Sequence, residues 1–249
     1  MKKAGTILKR DFAELKKTNT FLIIIIVFSV ITIAIAVSVS IILSRQEWVG
    51  EKAAQSVLEL IISLISYFLP FTIIMTFIWA FSSLPVVKEK VRGNIASLIA
   101  TTLSPREIWL GKSLAIFIPG YVISVISTII ILLAINLSVV IPSTGRFLFP
   151  LPLFLVSLIW NPLLLLGLLL MVILFSLAGN PDIAITPTFL VAFGLMMGIP
   201  MGMAMGGINL ASWSFSLWYL AGVVIFWIVL FIFTRLLTKE RILLSGKGN

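Results

Sequence analysis

The sequence predicts an all-α integral membrane protein. It has six transmembrane helices, an N-terminal interfacial amphipathic helix, and one cytoplasmic excursion between spans two and three. Three observations predict it. First, the chain has 249 residues, of which 60% are hydrophobic and only 11% charged, whereas a soluble domain carries roughly a quarter charged residues. So much apolar surface needs lipid as its solvent. Second, uncharged apolar runs recur six times, each of about 20 residues or more, enough to cross a hydrocarbon core of about 30 Å. Their backbones must be helical, because lipid offers no partner to a free N–H or C=O. Third, fifteen of the 18 Lys and Arg residues fall on one predicted side; only Arg45, Lys52 and Arg146 fall on the other. That asymmetry predicts a multi-pass plasma-membrane protein with both termini cytoplasmic. An even number of spans puts the termini on one side independently. The net charge of +9 therefore reads as orientation and contact with anionic lipid, and no nucleic-acid partner is expected.

Residues 1–18 form the interfacial helix. Ala4, Leu8, Phe12 and Leu15 recur at helical spacing on one face, and Lys2, Lys3, Lys9, Arg10, Lys16 and Lys17 surround them. Such a helix lies in the headgroup plane with its apolar face down. The apolar run after Lys17 is too long for a signal-peptide core and has no small-x-small cleavage site, so it reads as a permanent span.

The spans are predicted at Phe21–Leu43, Leu60–Leu84, Leu114–Val140, Leu151–Leu177, Ile185–Gly206 and Phe215–Thr234. Together they make residues 1–249 one transmembrane domain. Pro70, Pro119-Gly120, Asn161-Pro162 and Pro200 are expected to bend or interrupt them. In span five, Gly194, Gly198, Gly202 and Gly206 recur every four residues and predict a smooth strip for close helix packing or dimerisation. The same span carries Met196, Met197, Met201, Met203 and Met205. Thioethers suit Cu(I), but without nearby Cys or His adaptable packing is the preferred reading. Residues 200–214 read either as a simple exit or as a re-entrant dip. Trp213, Trp218 and Tyr219 suit an interfacial aromatic belt.

Much chemistry is excluded. The chain has no Cys and no His, so thiolate chemistry, disulfides and the commonest general base are absent. Glu59 falls at the edge of a span and Asp182 in a short loop, leaving the span interiors without acids. Ion-driven carriers usually place ionisable groups there. Gly111-Lys112-Ser113 ends like a phosphate-binding loop, but that motif needs a glycine five positions earlier, and Arg106 stands there. The chain is thus expected to be no enzyme, to hold no cofactor or metal, and to take its energy from a partner.

The place for that partner is residues 85–113, the one long polar interruption. It holds five of the 18 basic residues and two of the nine acids. Val86 to Arg92 continue span two outwards, and Gly93-Asn94 makes a turn. Ile95 to Thr101 form a short helix with Ile95, Leu98 and Ile99 on one side. Ser104, Pro105 and Glu107 then form a capping box with proline at N1, starting a helix that runs into span three.

Here a family resemblance becomes visible. Glu89, Arg92-Gly93, Leu98-Ile99-Ala100-Thr101, Leu103-Ser104, Glu107-Ile108 and Gly111-Lys112 resemble the signature that ABC-2 type transporter permeases carry between spans two and three. Asn94, Ala96 and Thr102 depart from it, and Ala96 removes an acid found in the family. The interfacial helix, six spans, cytoplasmic ends and length are also similar.

The resemblance implies a permease subunit of an ATP-driven exporter, with ATP and Mg on two separate ATP-binding subunits. It implies a homodimer or a heterodimer with a second permease. Residues 85–113 would be the coupling segment. Glu89 and Arg92 would anchor it, Gly93 would turn it, Ile95 and Leu98 would pack into the ATPase, and Ser104 and Glu107 would stiffen it. The apolar spans suit an amphipathic or hydrophobic cargo: a peptide, a drug or a lipid-like molecule. The loop after span four is short for a second docking helix. The alternatives are an ATPase-independent scaffold or insertase-like protein, and a lipid-directed membrane enzyme, for which no catalytic residues are in place.

Overall fold

A computed structural model describes residues 2–46, 54–82, 104–178, 184–238 and 240. The described residues form helices and turns, with six helices long and apolar enough to cross a membrane. An N-terminal helix, α1 (Lys2–Lys16), precedes them. The six are α2 (Asn19–Ser44), α3 (Ala54–Phe81), α4 (Pro105–Thr144), α5 (Leu151–Leu177), α6 (Thr186–Ala204) and α7 (Trp213–Phe233). The chain is a multi-pass membrane protein. The spans match the apolar runs, but α3 starts earlier than predicted and includes Glu59, and α4 starts earlier because its capping box begins it at Pro105.

The bundle has a centre and a periphery. The most apolar window of α3 is 67% buried and that of α5 61%, against 22% for α2 and 17% for α6 and α7. Helix α4 joins the two layers, packing against α1, α2, α3 and α5. On α2, Ile23, Ile26, Val30 and Ile33 stay exposed. An uncharged face of this kind is in its preferred solvent only when that solvent is lipid. Within the bundle, Thr32 donates to Phe28 O at 2.7 Å and to Ser127 Oγ at 2.9 Å, holding α2 to α4.

The prolines act less than expected on continuity. The helices run through Pro70, Pro119 and Pro200 without a break. Two other prolines each follow a π-helical turn: Asn136–Val140 comes just before Ile141-Pro142, and Val156–Trp160 just before Asn161-Pro162. The wider turn moves backbone away from a ring that would meet the carbonyl four residues back. That carbonyl, Leu158 O, also lacks a donor from Pro162; the Tyr121 hydroxyl donates to it at 3.1 Å.

After α6 the chain makes a tight return turn rather than a re-entrant helix. Gly206 N–H bonds to Met203 O at 3.0 Å and Gly207 N–H to Gly202 O at 2.9 Å. Gly206 has φ +72. This is a Schellman motif with glycine at its left-handed position. Ser212 then caps α7, accepting from Phe215 N–H at 3.2 Å. Gly206→Ala should cost about 1 kcal/mol from the left-handed strain alone, seen as a lowered thermal midpoint in detergent; an unchanged midpoint would show that the turn tolerates a side chain.

Candidate functional site

The foot of α4 is where the predicted docking segment enters the bundle. At 40 residues, α4 extends about 60 Å at 1.5 Å per residue, roughly twice the hydrocarbon thickness. It therefore has length to spare beyond the membrane. Its first turn is closed reciprocally: Glu107 N–H donates to Ser104 Oγ at 3.3 Å, and Ser104 N–H donates to Glu107 Oε2 at 3.0 Å. The Ser104 hydroxyl also donates to Glu107 Oε2 at 3.1 Å. A helix start held this way has two of its orphan donors satisfied reciprocally.

Two further side chains lock the foot to other elements. Trp109 is buried, and its Nε1–H donates to Leu170 O on α5 at 2.7 Å. Lys112 is only 3% exposed, and its Nζ lies 3.2 Å from Asp11 Oδ2 on α1. Asp11, 12% exposed, also takes Arg10 Nη2 at 2.8 Å on its other oxygen. Helix α1 thus lies against the foot of α4. Its buried residues are Ile7 and Leu15, four residues either side of Asp11. Leu8 and Phe12 are half-buried beside them. The contact face is therefore turned from the predicted one, and it carries an acid because Lys112 waits on α4. At the α1–α2 corner the Phe12 and Phe21 rings meet edge-on at 6.4 Å, and Lys16 Nζ sits 4.4 Å over Phe12.

Mechanically, a force applied just before Ser104 reaches α4 first, then α1 through Asp11–Lys112 and α5 through Trp109–Leu170. The foot is a junction of three helices held by these two contacts. A charged pair removed from water is costly to separate, so these elements are expected to move together.

No family model, characterised protein or solved structure matches this chain. The resemblance between spans two and three therefore rests on residues 89–112 themselves.

Of the predicted docking residues, Glu89, Arg92, Gly93, Ile95 and Leu98 lie outside the described residues. Ser104 and Glu107 form the capping box. The four glycines divide. Gly202 faces Ile208 of its own return turn, where an added Cβ would collide with Ile208 Cδ1, and Gly206 is the turn's left-handed residue. Both serve the turn. Gly194 and Gly198 are exposed with nothing within 4 Å of an added Cβ, leaving a smooth, uncovered face on α6.

Sequence reasoning missed Asp11 and Trp109 as anchors. An acid beside the apolar face of a mostly basic helix was the signal for Asp11. It also missed a polar cluster inside the bundle. The Tyr219 hydroxyl donates to Asn161 Oδ1 at 2.9 Å, joining α7 to the π-turn end of α5. Asn161 Nδ2 is buried without a hydrogen-bond partner among the described residues, and the Tyr67 ring stands edge-on to Tyr219 with centroids 6.4 Å apart. Buried polar atoms of this kind can take water or a polar group of a passing molecule.

Proposed function

We propose that this chain is the membrane-spanning permease subunit of an ATP-driven exporter of the ABC-2 type. One observation carries the reading. The residues from Glu89 to Lys112 that resemble the family's coupling signature run directly into a capped helix foot anchored to two other helices. The sequence carries no complete phosphate-binding loop, and a coupling segment joined to such a junction supplies a route for a partner's work.

In this reading two ATP-binding subunits dock under a pair of permeases. ATP favours one arrangement of the ATPase pair, and hydrolysis restores the other, so the foot of α4 is driven between two positions. α1 and α5 follow, because Lys112 and Trp109 hold them. The central helices α3 and α5 then reorganise around the polar cluster at Asn161 and Tyr219. The cargo is amphipathic or hydrophobic. Both termini and the coupling segment are cytoplasmic, and α1 rests at the cytoplasmic face of the cell membrane. The open α6 face at Gly194 and Gly198 is the candidate surface for the second permease.

The test is co-purification with the ATP-binding subunit encoded beside this chain. A stable complex is expected, and Glu89→Arg should weaken it at least about tenfold, the effect of reversing one well-placed interfacial charge. A chain that purifies as a stable monomer, and forms no complex when that ATPase is added, overturns the proposal.

A further inference from the structure

At the end of the bundle opposite α1, the start of α3 and the loop after α4 enclose a half-open cavity of about 480 Å³. Gln55, Glu59, Thr144, Arg146 and residues 147–150 line it. Its volume falls within the usual range for small-ligand sites, about 300–1,000 Å³. It holds one acid and one base, and among the described residues neither side chain makes an ion pair or hydrogen bond. Two opposite charges share a pocket and do not touch.

The loop that presents Arg146 is held in place. Gly145 takes φ +68 and ends α4 with its N–H on Ile141 O at 2.9 Å. Thr144 Oγ1 donates to Arg146 O at 3.2 Å. Asn136, fully buried at the π turn of α4, clamps the loop from beneath. Leu148 N–H donates to its Oδ1 at 2.8 Å, and its Nδ2 donates to Leu148 O at 3.3 Å. Phe149 stacks on Phe154 with centroids 4.1 Å apart. These contacts fix the backbone that carries Arg146 in the cavity wall.

We infer that this cavity binds a zwitterionic group, an ammonium on Glu59 and a phosphate or carboxylate on Arg146. A cation alone or an anion alone would leave one charge without its partner. A ligand with both charges satisfies both, and the guanidinium accepts a phosphate or carboxylate with directional hydrogen bonds. Two sources share this chemistry: a zwitterionic phospholipid headgroup, and a soluble zwitterion. Phe147 and Phe149, which also line the cavity, are exposed, and the cavity lies where two membrane-spanning helices end or begin, so a lipid headgroup is the favoured source. The inference does not depend on the transporter reading.

The test uses the full chain in detergent with matched-acyl phosphatidylethanolamine and phosphatidylglycerol, with retained lipid counted by native mass spectrometry. Wild type should retain phosphatidylethanolamine preferentially. Glu59→Gln should reduce that preference about fivefold, the fold-change of roughly 1 kcal/mol for a partly exposed pair, and Arg146→Gln, which removes the contact to the phosphate that both lipids carry, should reduce retention of both by a similar factor. The exchange Glu59→Arg with Arg146→Glu keeps both charges and should restore part of it, which a merely structural role would not. Free phosphoethanolamine that displaces the lipid at equal concentration assigns the site to a soluble zwitterion; failure to displace it assigns the site to the membrane. Equal retention of the two lipids together with no effect of free phosphoethanolamine overturns the inference, as does a preference unchanged in Glu59→Gln or a retention unchanged in Arg146→Gln.

Discussion

Asp11→Asn should destabilise the protein by about 3 kcal/mol, because it takes the carboxylate from a lysine that is almost fully buried. Lys112 is 3% exposed and Asp11 12%, so water reaches little of the pair. For a chain of this size the thermal midpoint should fall by roughly 6–12 °C, read by tryptophan fluorescence in detergent. Lys112→Met should cost less. Asp11 would keep Arg10 at 2.8 Å, and the methionine would fill the lysine's place with apolar atoms. The double variant should be more stable than Asp11→Asn alone, since a removed ion pair is tolerated better than a broken one. A midpoint within 2 °C of wild type for Asp11→Asn would show that the contact carries no weight. With the partner ATPase present, the exporter reading adds an expectation of its own. Asp11→Asn should still bind the ATPase, because the docking residues are untouched, yet ATP hydrolysis should proceed with less transport.

That ion pair also shows where sequence reading stops. The partners are 101 positions apart, and no local pattern links them. The six spans were legible because their signal is cumulative: about 20 apolar residues outweigh any single exception. The capping box was legible because its partners are three residues apart and its chemistry is local. The π turns before Pro142 and Pro162 were not, because the choice between bending and widening depends on what surrounds the helix. Tyr121 was able to take up the Leu158 carbonyl only because α4 happens to pass there. The face of α1 was read a little off for a related reason. Periodicity marks apolar residues, and Asp11 looked polar, although its environment is the buried one. The charges of Glu59 and Arg146 were visible, but not that one cavity holds both. The segment from Glu89 to Leu98 stands on its sequence alone.

The glycines make the same point with a sharper test. The sequence draws attention to the regular series in α6, yet the tight helix crossings are elsewhere, at Gly120 on α4 and at Gly167 on α5, where an added Cβ would stand 2.7 Å from Phe226 Cε1 on α7. An added Cβ at Gly120 would lie 3.0 Å from Phe77 Cγ and 3.1 Å from Phe77 Cβ. Phe77 is fully buried on α3, and the atoms met are at the base of its ring, which cannot swing aside as a side-chain tip would. Its neighbours hold it further: Phe21 at 6.0 Å and Phe81 at 5.7 Å between centroids. Gly120→Ala should therefore force α3 and α4 apart at their main contact, costing about 1–3 kcal/mol as overpacking does, and Gly120→Leu should cost more still and reduce the yield of folded protein. Gly198→Ala should behave oppositely. Its Cβ meets nothing within 4 Å, and alanine in a helix is better than glycine by roughly 1 kcal/mol, so the isolated chain should melt no lower than wild type. If the open α6 face is where a second permease seats, Gly198→Leu should leave that melting point alone and reduce the dimer fraction measured by light scattering. Equal losses of stability at both positions would mean that the two glycines share one environment, contrary to the packing described.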